Sequence, residues 1–212
     1  MPDIFDTEFE GAAVTIEDNR IAKGEDINVT AKDPTLQRVH IGCGWDLNAF
    51  ESDSLDLDVS CFLLDKDGKT REDEDFIFYN NPESCEGAVK HAGDSRTGAG
   101  EGDDESIILD LHGIPFDIIR VLFVITIYQA NYKDQNIGMV RNAYIRLANV
   151  DTTHELLRYE LKEELEDRTE AGVIVAALDR EGPKWHFRTL GEPIPGGLVE
   201  AAENYGIVVG QS

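Results

Sequence analysis

Short apolar runs separated by turn residues dominate the chain and predict β-strands rather than helices. The most hydrophobic run, Arg120 to Tyr128, has the core VLFVITIY and is apolar on both faces, so we expect it at the centre of a sheet. About ten such strands predict a mainly β protein, a two-sheet β-sandwich. The other predicted strands are Ile27–Thr30, Arg38–Gly44, Phe76–Asn80, Ile107–Leu111, Ala143–Asn149, Glu155–Leu161, Gly172–Leu178 and Trp185–Leu190.

The segment DLDVSCFLLD, beginning at Asp56, combines strand alternation with acidic residues. In a strand, Leu57, Val59, Cys61 and Leu63 share one face, and Asp56 and Asp58 share the other face at the strand's entry. The far end is apolar on both faces, as in the middle of a sandwich. Two carboxylates on one side of a strand could therefore reach the same ion.

Helices are expected to be few and short. The clearest covers Gly197 to Tyr205, near the C-terminus, and the Glu and Lys spacing between Glu160 and Glu170 suits a helical turn. Residues 1–22 contain one strand candidate, Ala12–Ile16, and are expected to be an N-terminal extension or an extra edge strand. Residues 23–212 are expected to form the sandwich domain.

The turn Asp65-Lys66-Asp67-Gly68-Lys69 predicts a hairpin into the strand that begins at Phe76. An EF-hand loop with Gly68 at its sixth position would place Leu63 at position one and would need flanking helices. Because both flanks are typical of strands, the plain hairpin is preferred.

The charge is strongly acidic and uneven. The 212 residues carry 43 Asp and Glu against 19 Lys and Arg, a net charge of -24, and Asp46 to Asp110 contributes 19 acids and 5 bases. Such a balance argues against nucleic acid and against direct binding to an anionic membrane, and it favours cations or basic partners. No apolar run is long enough for membrane insertion, and the acidic N-terminus is unlike a signal peptide, so a cytoplasmic location is expected.

A glycine-rich loop followed by acids forms the strongest candidate site. Gly93, Gly98, Gly100 and Gly102 precede Asp103, Asp104 and Glu105. Crowded carboxylates repel, and a hard cation such as calcium, which takes six to eight oxygen ligands, relieves that repulsion. A merely solvated acidic turn is the alternative interpretation.

Neither the glycines nor the other polar residues indicate catalysis. The glycine pattern ends on Asp103 and leads into a strand, so phosphate has no helix N-terminus to bind. His91 is interpreted as a strand histidine with an ordinary hydrogen bond, although a role as base or ligand is possible. The three cysteines, Cys43, Cys61 and Cys85, lack metal spacing and are expected to be reduced thiols in or near the core.

Several ordered blocks resemble the TerD family of tellurium-resistance and stress proteins. They are GCGWD at 42–46, DLDVSCFLLDKDGK at 56–69, DFIFYNNPES at 75–84, HAGDSRTGAGEGDDESI at 91–107, VITIYQA at 124–130, QNIGMVRNAYIRLAN at 135–149, ELLRYEL at 155–161 and KWHFRTLG at 184–191. The resemblance covers roughly Lys23 to the C-terminus, whereas residues 1–22 exceed the usual family start and residues 163–183 are less similar.

The resemblance implies a cytoplasmic, calcium-binding β-sandwich that acts in bacterial stress response without a known reaction of its own. It implies one or two calcium ions and partners that include other Ter-type stress proteins and an integral membrane Ter protein. The alternative hypothesis is a metal-dependent enzyme acting on a phosphorylated or redox-active small molecule. By this resemblance the candidate ligands are Asp46, Asp56, Asp58, Asp94, Asp103, Asp104 and Glu105, and the most strongly favoured are Asp103 and Asp104 of the family's GDD-E element at 102–105.

Overall fold

Two stacked β-sheets make up the protein, whose computed structural model describes residues 19–46, 55–94 and 102–209. Strands and helices are numbered along the chain. In spatial order, the first sheet consists of β1 (Arg20–Ile21), β11 (Glu155–Glu160), β10 (Arg141–Asn149), β3 (Arg38–Asp46), β8 (Glu105–Asp110), β7 (Val89–Asp94) and β6 (Glu83–Ser84). The second sheet consists of β2 (Asp26–Asn28), β13 (Lys184–Ile194), β12 (Gly172–Glu181), β9 (Arg120–Ile127), β4 (Leu57–Leu64) and β5 (Phe76–Ile77).

The described chain also has four short α-helices, α1 (Val29–Lys32), α2 (Ala130–Lys133), α3 (Lys162–Leu165) and α4 (Gly197–Asn204), and 3-10 helices at Asp73–Asp75, Cys85–Gly87 and Ile137–Met139. The predicted fold class, a two-sheet sandwich with a few short helices and one near the C-terminus, is confirmed. The predicted central strand is also confirmed, because β9 lies inside its sheet between β4 and β12. Among the described strand pairs, β1 with β11 is the parallel one.

Strand β4 contributes side chains to two apolar clusters, one on each of its faces. Leu57, Val59, Cys61 and Leu63 point into the core between the sheets, as their alternation predicts. Phe62 and Leu64 point the other way and join a second apolar cluster that contains Ala201 and Ala202 of α4. Helix α4 therefore covers the outer face of the second sheet, which is why β4 is apolar on both faces at its far end.

The hairpin prediction is confirmed at the turn after β4. The Asp65 carboxylate accepts hydrogen bonds from the backbone N–H groups of Asp67 and Lys69, so it closes the turn itself. Strand β5 then pairs antiparallel with β4. It ends at Ile77, three residues before the predicted end at Asn80.

One strand prediction is wrong in its second half. The run predicted as Ile27–Thr30 leaves extended geometry after Asn28 and continues into α1. The reason is local: the Asn28 side chain accepts a hydrogen bond of 2.8 Å from the Ala31 N–H and caps the helix. The strand candidate Ala12–Ile16 lies outside the described residues.

Among the described residues, the pairing of β4 with β5 leaves part of the β4 edge without a strand partner. The register joins Cys61 with Ile77 and Phe62 with Phe76, and it does not extend to Val59. A buried strand edge must have its backbone groups satisfied by other means. The candidate functional site lies at this edge.

Candidate functional site

Side chains from the first sheet bind the buried backbone of Val59, at the part of the β4 edge that β5 does not pair with. The Val59 N–H donates to Glu105 Oε2 at 2.5 Å, and His91 Nε2 lies 3.0 Å from the Val59 carbonyl oxygen. Because the Gly93 N–H donates to His91 Nδ1 at 3.2 Å, Nε2 carries the hydrogen that Val59 accepts. His91 is thus the strand histidine with an ordinary hydrogen bond that the sequence predicts. Together, His91 and Glu105 join the two sheets.

Asp58, next to this junction, is a half-buried carboxylate for which the described part of the chain provides no hydrogen bond or ion pair. Burial and the negative charges of Glu105 and Asp56 raise the pKa of Asp58 to about 7, and the weaker effects of His91 and Lys133 oppose this rise. Two other predicted ligands, Asp56 and Glu105, are therefore close enough to repel the charged form of Asp58. A bound cation would relieve that repulsion.

Two further predicted ligands border the same end of the sandwich. Asp104 Oδ2 accepts a hydrogen bond of 2.8 Å from the Trp45 N–H, and the Asp104 N–H donates to the Cys43 carbonyl oxygen. The backbone of Asp94 lies opposite Glu105 in the β7–β8 pair. Burial and the charges of Asp103, Glu105 and Asp104 raise the pKa of the Cys43 thiol well above its usual range.

Asp103 has a different environment from its neighbours. Its carboxylate makes a bidentate ion pair with Arg146, with distances of 2.7 Å from Nε to Oδ1 and 2.6 Å from Nη2 to Oδ2. His40 Nε2 lies 2.7 Å from Oδ2, and the Tyr144 hydroxyl donates to Oδ1 at 3.0 Å. Burial alone would raise the pKa of Asp103, but these hydrogen bonds and the Arg146 charge hold it well below its usual range. Both oxygens are occupied by protein donors, so this geometry gives no support to Asp103 as a ligand.

Two glycines of β3 make space for this network. A Cβ atom on Gly42 would lie 2.0 Å from Asp103 Oδ2, and one on Gly44 would lie 2.5 Å from the Tyr144 ring. Any side chain at either position would therefore displace the Asp103 carboxylate or the Tyr144 ring. The two glycines of the GCG segment are therefore required for the network.

The last predicted ligand, Asp46, is held at the end of β3 by a hydrogen bond of 2.6 Å from Asn142 Nδ2 to Oδ2. Within residues 19–46, 55–94 and 102–209, no three His, Cys, Asp or Glu side chains converge closely enough to hold a metal ion by themselves. The described acids could therefore supply only part of a coordination shell, and the predicted calcium site stays a prediction. Calcium commonly completes such a shell with backbone carbonyls and water.

Comparison with known proteins identifies the family. The model of the TerD domain matches residues 18–205. The chain belongs to the TerD family. General stress protein 16U of Bacillus subtilis (strain 168) is 43% identical over 191 residues, which cover 90% of this chain and 98% of that protein. Tellurium resistance protein TerD of Serratia marcescens is 41% identical over 187 residues, covering 88% and 96% of the two chains.

A solved structure supports the TerD fold assignment. The crystal structure of a homologue of the TerD telluride resistance protein from Streptomyces coelicolor A3(2) superposes with a TM-score of 0.63 at 22% identity. The match covers 82% of this chain and 99% of that chain. At this identity, the likeness shows the fold alone.

Other expectations have simpler outcomes in this TerD chain. The three cysteines are free thiols, with Cys43 and Cys61 buried and Cys85 half-buried, as predicted. In the described residues, no helix has the length and apolar content required to cross a membrane.

Sequence reasoning missed the residues that bind Asp103, namely Arg146, Tyr144 and His40. They come from β10 and β3, far from Asp103 in the chain. The available signal was the pair of glycines at alternate positions of β3, since two missing side chains on one strand face indicate that something large lies across it.

Proposed function

We propose that this TerD-family protein is a calcium-binding, non-enzymatic module of a bacterial stress-response assembly of the tellurite-resistance type. The observation that carries the proposal is Asp58, a half-buried carboxylate without a hydrogen bond in the described part of the chain and adjacent to two other acids. Leaving such a group charged is unfavourable unless a cation is bound. The family membership supports the role in stress response.

The ligands we propose are Asp58, Asp56 and Glu105, with Asp104 and Asp94 bordering the site. Calcium would supply the positive charge that these carboxylates lack and would connect β4 of one sheet to β8 of the other. Glu105 Oε2 already accepts the Val59 N–H, which leaves its second oxygen as the candidate ligand atom. We leave Asp103 out of the proposed set because Arg146 binds both of its oxygens. Asp46, like Glu105, accepts a described hydrogen bond on one oxygen, so it stays a candidate at the end of β3.

A binding role is preferred to a catalytic one because His91, the nearest candidate base, uses both ring nitrogens within the fold. Nδ1 accepts the Gly93 N–H and Nε2 donates to Val59. The alternative hypothesis of a metal-dependent enzyme has no such observation in its favour. The partners proposed by family resemblance are other Ter-type stress proteins and an integral membrane Ter protein, met from the cytoplasmic side.

The test is a calorimetric titration of chelator-treated protein with calcium and, separately, with magnesium. We expect the titration to show saturable calcium binding. In a separate thermal unfolding measurement, calcium should raise the unfolding temperature by several degrees, because a ligand bound only by the native state stabilises it. Asp58→Asn should weaken calcium affinity by about tenfold or more, the loss of one charged ligand.

Asp67→Asn is the matched control, since Asp67 is an exposed acid on the hairpin turn, where it pairs with Lys66. Equal calcium affinity in the two variants would remove Asp58 from the site. No calcium-specific rise in stability would reject the calcium proposal and leave the family assignment intact.

A further inference from the structure

Exposed apolar side chains are concentrated on one surface of the second sheet. In the described part of the chain, eight large hydrophobic residues are exposed, and five of them line two neighbouring cavities here: Tyr79, Tyr128, Tyr132, Val199 and Val209. The other three are Phe116, Ile119 and Val208. Clusters of exposed apolar residues mark interaction sites, whereas single ones are ordinary.

Two neighbouring cavities make this surface concave. One, of about 500 Å³, lies between Phe76, Phe78 and the first turn of α4, and the other, of about 280 Å³, lies between Tyr128 and the same turn. Tyr79, Leu198 and Val199 line both cavities, so the two form one continuous depression. We call it the aromatic groove and define it by Phe78, Tyr79, Tyr128, Tyr132, Leu198 and Val199.

Contacts between aromatic rings give the groove a preformed floor. Phe62 stacks on Phe76 and Phe76 on Phe78, each with ring centroids 4.4 Å apart. Phe78 then meets Tyr79 edge-on at 5.2 Å, and Tyr79 meets Tyr128 edge-on at 6.2 Å. The series begins at a fully buried ring, so the exposed tyrosines rest on the core. A preformed surface loses less entropy when a partner binds.

The charge of the groove is negative. Asp73 and Glu74 line the first cavity and Asp58 lines the second, while no lysine or arginine among the described residues lines either. Asp73 and Glu74 are exposed and make no ion pair with other residues of the described chain. The Tyr128 ring is also placed to interact with a cation, because the ammonium group of the protein's own Lys133 lies 5.6 Å from its centroid.

The apolar, aromatic and acidic side chains of the groove indicate which kind of molecule would bind there. A second copy of this chain would bring another net charge of -24, and an anionic lipid surface would be repelled in the same way. Residues 1–18 contain six acids and no lysine or arginine, so the protein's own N-terminal segment is equally disfavoured. Only a basic partner matches both the charge and the apolar floor.

We propose that the aromatic groove is a docking site for a basic amphipathic helix of a partner protein. Its apolar side chains would enter the two cavities on either side of Leu198 and Val199, and its lysines and arginines would lie against Asp73, Glu74 and the tyrosine rings. The proposal goes beyond the proposed function, because none of these contacts requires calcium.

The test uses the full chain in excess chelator and a fluorescent leucine–lysine peptide with leucines at helical spacing. Fluorescence anisotropy should show saturable binding, and a leucine–glutamate peptide of the same pattern should not bind. Tyr79→Ser with Val199→Ser removes apolar contacts, and Asp73→Asn with Glu74→Gln removes charge. Each double variant should weaken binding by about tenfold or more.

Matched control variants remove an aromatic ring or two negative charges from surfaces outside the aromatic groove. Phe116→Ser deletes an exposed aromatic ring, and Glu166→Gln with Asp167→Asn deletes two exposed charges; both should bind the peptide as the unsubstituted protein does. Equal loss in the controls, no saturable binding, or equal binding of the acidic peptide would overturn the proposal. Self-association or binding to phosphatidylglycerol vesicles that the Tyr79 and Val199 variant abolishes would also overturn it, in favour of a second copy or a lipid surface. Because chelator is present throughout, failure of the calcium proposal leaves this outcome unaffected.

Discussion

Asp58 and Asp103 are residues of the same type whose surroundings move their pKa values in opposite directions. Arg146, His40 and Tyr144 bind both oxygens of Asp103 and lower its pKa. Asp58 has burial and two neighbouring acids instead, which raise its pKa to about 7. A paired carboxylate stabilises the native state when charged, whereas an unpaired, partly buried carboxylate destabilises it.

Asp103→Asn is expected to destabilise the protein by about 3 kcal/mol at pH 7, because it leaves the Arg146 guanidinium without its bidentate partner. The pKa of Asp103 is lowered on folding, so its contribution is fully present above its unfolded pKa and is lost as the pH falls below about 4. Urea unfolding at pH 7 and pH 3 measures this. The variant's deficit should shrink at the lower pH, and a deficit that stays constant would contradict the ion-pair explanation.

Asp58→Asn is expected to behave in the opposite way without calcium. The native state holds the Asp58 proton more tightly than the unfolded state, so the unsubstituted protein loses stability as the pH rises from about 4 to about 7. In chelator at pH 8, the variant should therefore be more stable, by on the order of 2 kcal/mol after allowance for solvent screening. At pH 4 the difference should vanish. A variant less stable than the parent at pH 8, or a gain equal to that of Asp67→Asn, would show that Asp58 is not unfavourably charged.

Strands β3 and β4 each have one feature that is unusual for a strand. In β3 it is a pair of glycines, and in β4 it is an edge that is incompletely paired in the described part of the chain. Gly42 and Gly44 weaken β3 as a strand, yet they admit Asp103 and Tyr144 across its outer face. The β4 edge is not covered along its whole length by a strand, and His91 and Glu105 satisfy Val59 instead. The glycines of β3 make room for Asp103, and the unpaired edge of β4 holds Glu105.

Gly42→Ala is expected to destabilise the protein by about 2 kcal/mol or more, since its Cβ would lie 2.0 Å from Asp103 Oδ2. Thermal unfolding measures the effect, with Ser106→Ala as the control because Ser106 faces Gly42 in the β3–β8 register. In an Asp103→Ala background, the cost of Gly42→Ala should be smaller, because the carboxylate that the added Cβ would meet is gone. Strict additivity of the two substitutions would contradict a direct clash.

At the scale of the whole molecule, the net charge of -24 opposes folding through mutual repulsion of the acids. Ion pairs such as Arg71 with Asp75 and Arg120 with Asp179 compensate only part of it, because bases number 19 against 43 acids. The same excess of acid makes a basic partner favourable at the aromatic groove. Stability and partner choice therefore both depend on ionic strength.

Raising sodium chloride from about 0.01 M to about 0.5 M is expected to stabilise the calcium-free protein, because the screening length falls from about 30 Å to a few ångströms. The midpoint of urea unfolding should rise while its slope stays constant. Choline chloride should give the same rise if screening is the cause. A rise with sodium alone would indicate a specific cation site, and a fall would contradict net repulsion.

The sequence by itself determined the sandwich, the central strand β9 and the two apolar faces of β4, because these depend on the period of two in side-chain direction and on the sum of apolar surface. It also determined the hairpin at Asp65, whose side chain acts on its own turn. The family followed from ordered local blocks. Each of these features depends on residues that are close together in the chain, so the sequence alone is enough to predict it.

Only the tertiary structure decided which acids belong together. Asp103 and Glu105 are two residues apart, yet one is bound by Arg146 of β10 and the other by the Val59 backbone of β4. Likewise, Ile27 to Thr30 resembles one strand, but the cap provided by Asn28 divides it. The aromatic groove arises because Tyr79, Tyr128 and Val199, distant in the chain, meet around α4. A charge or a ring acquires its role from partners across the fold, and those partners are set by strand pairing rather than by sequence neighbours.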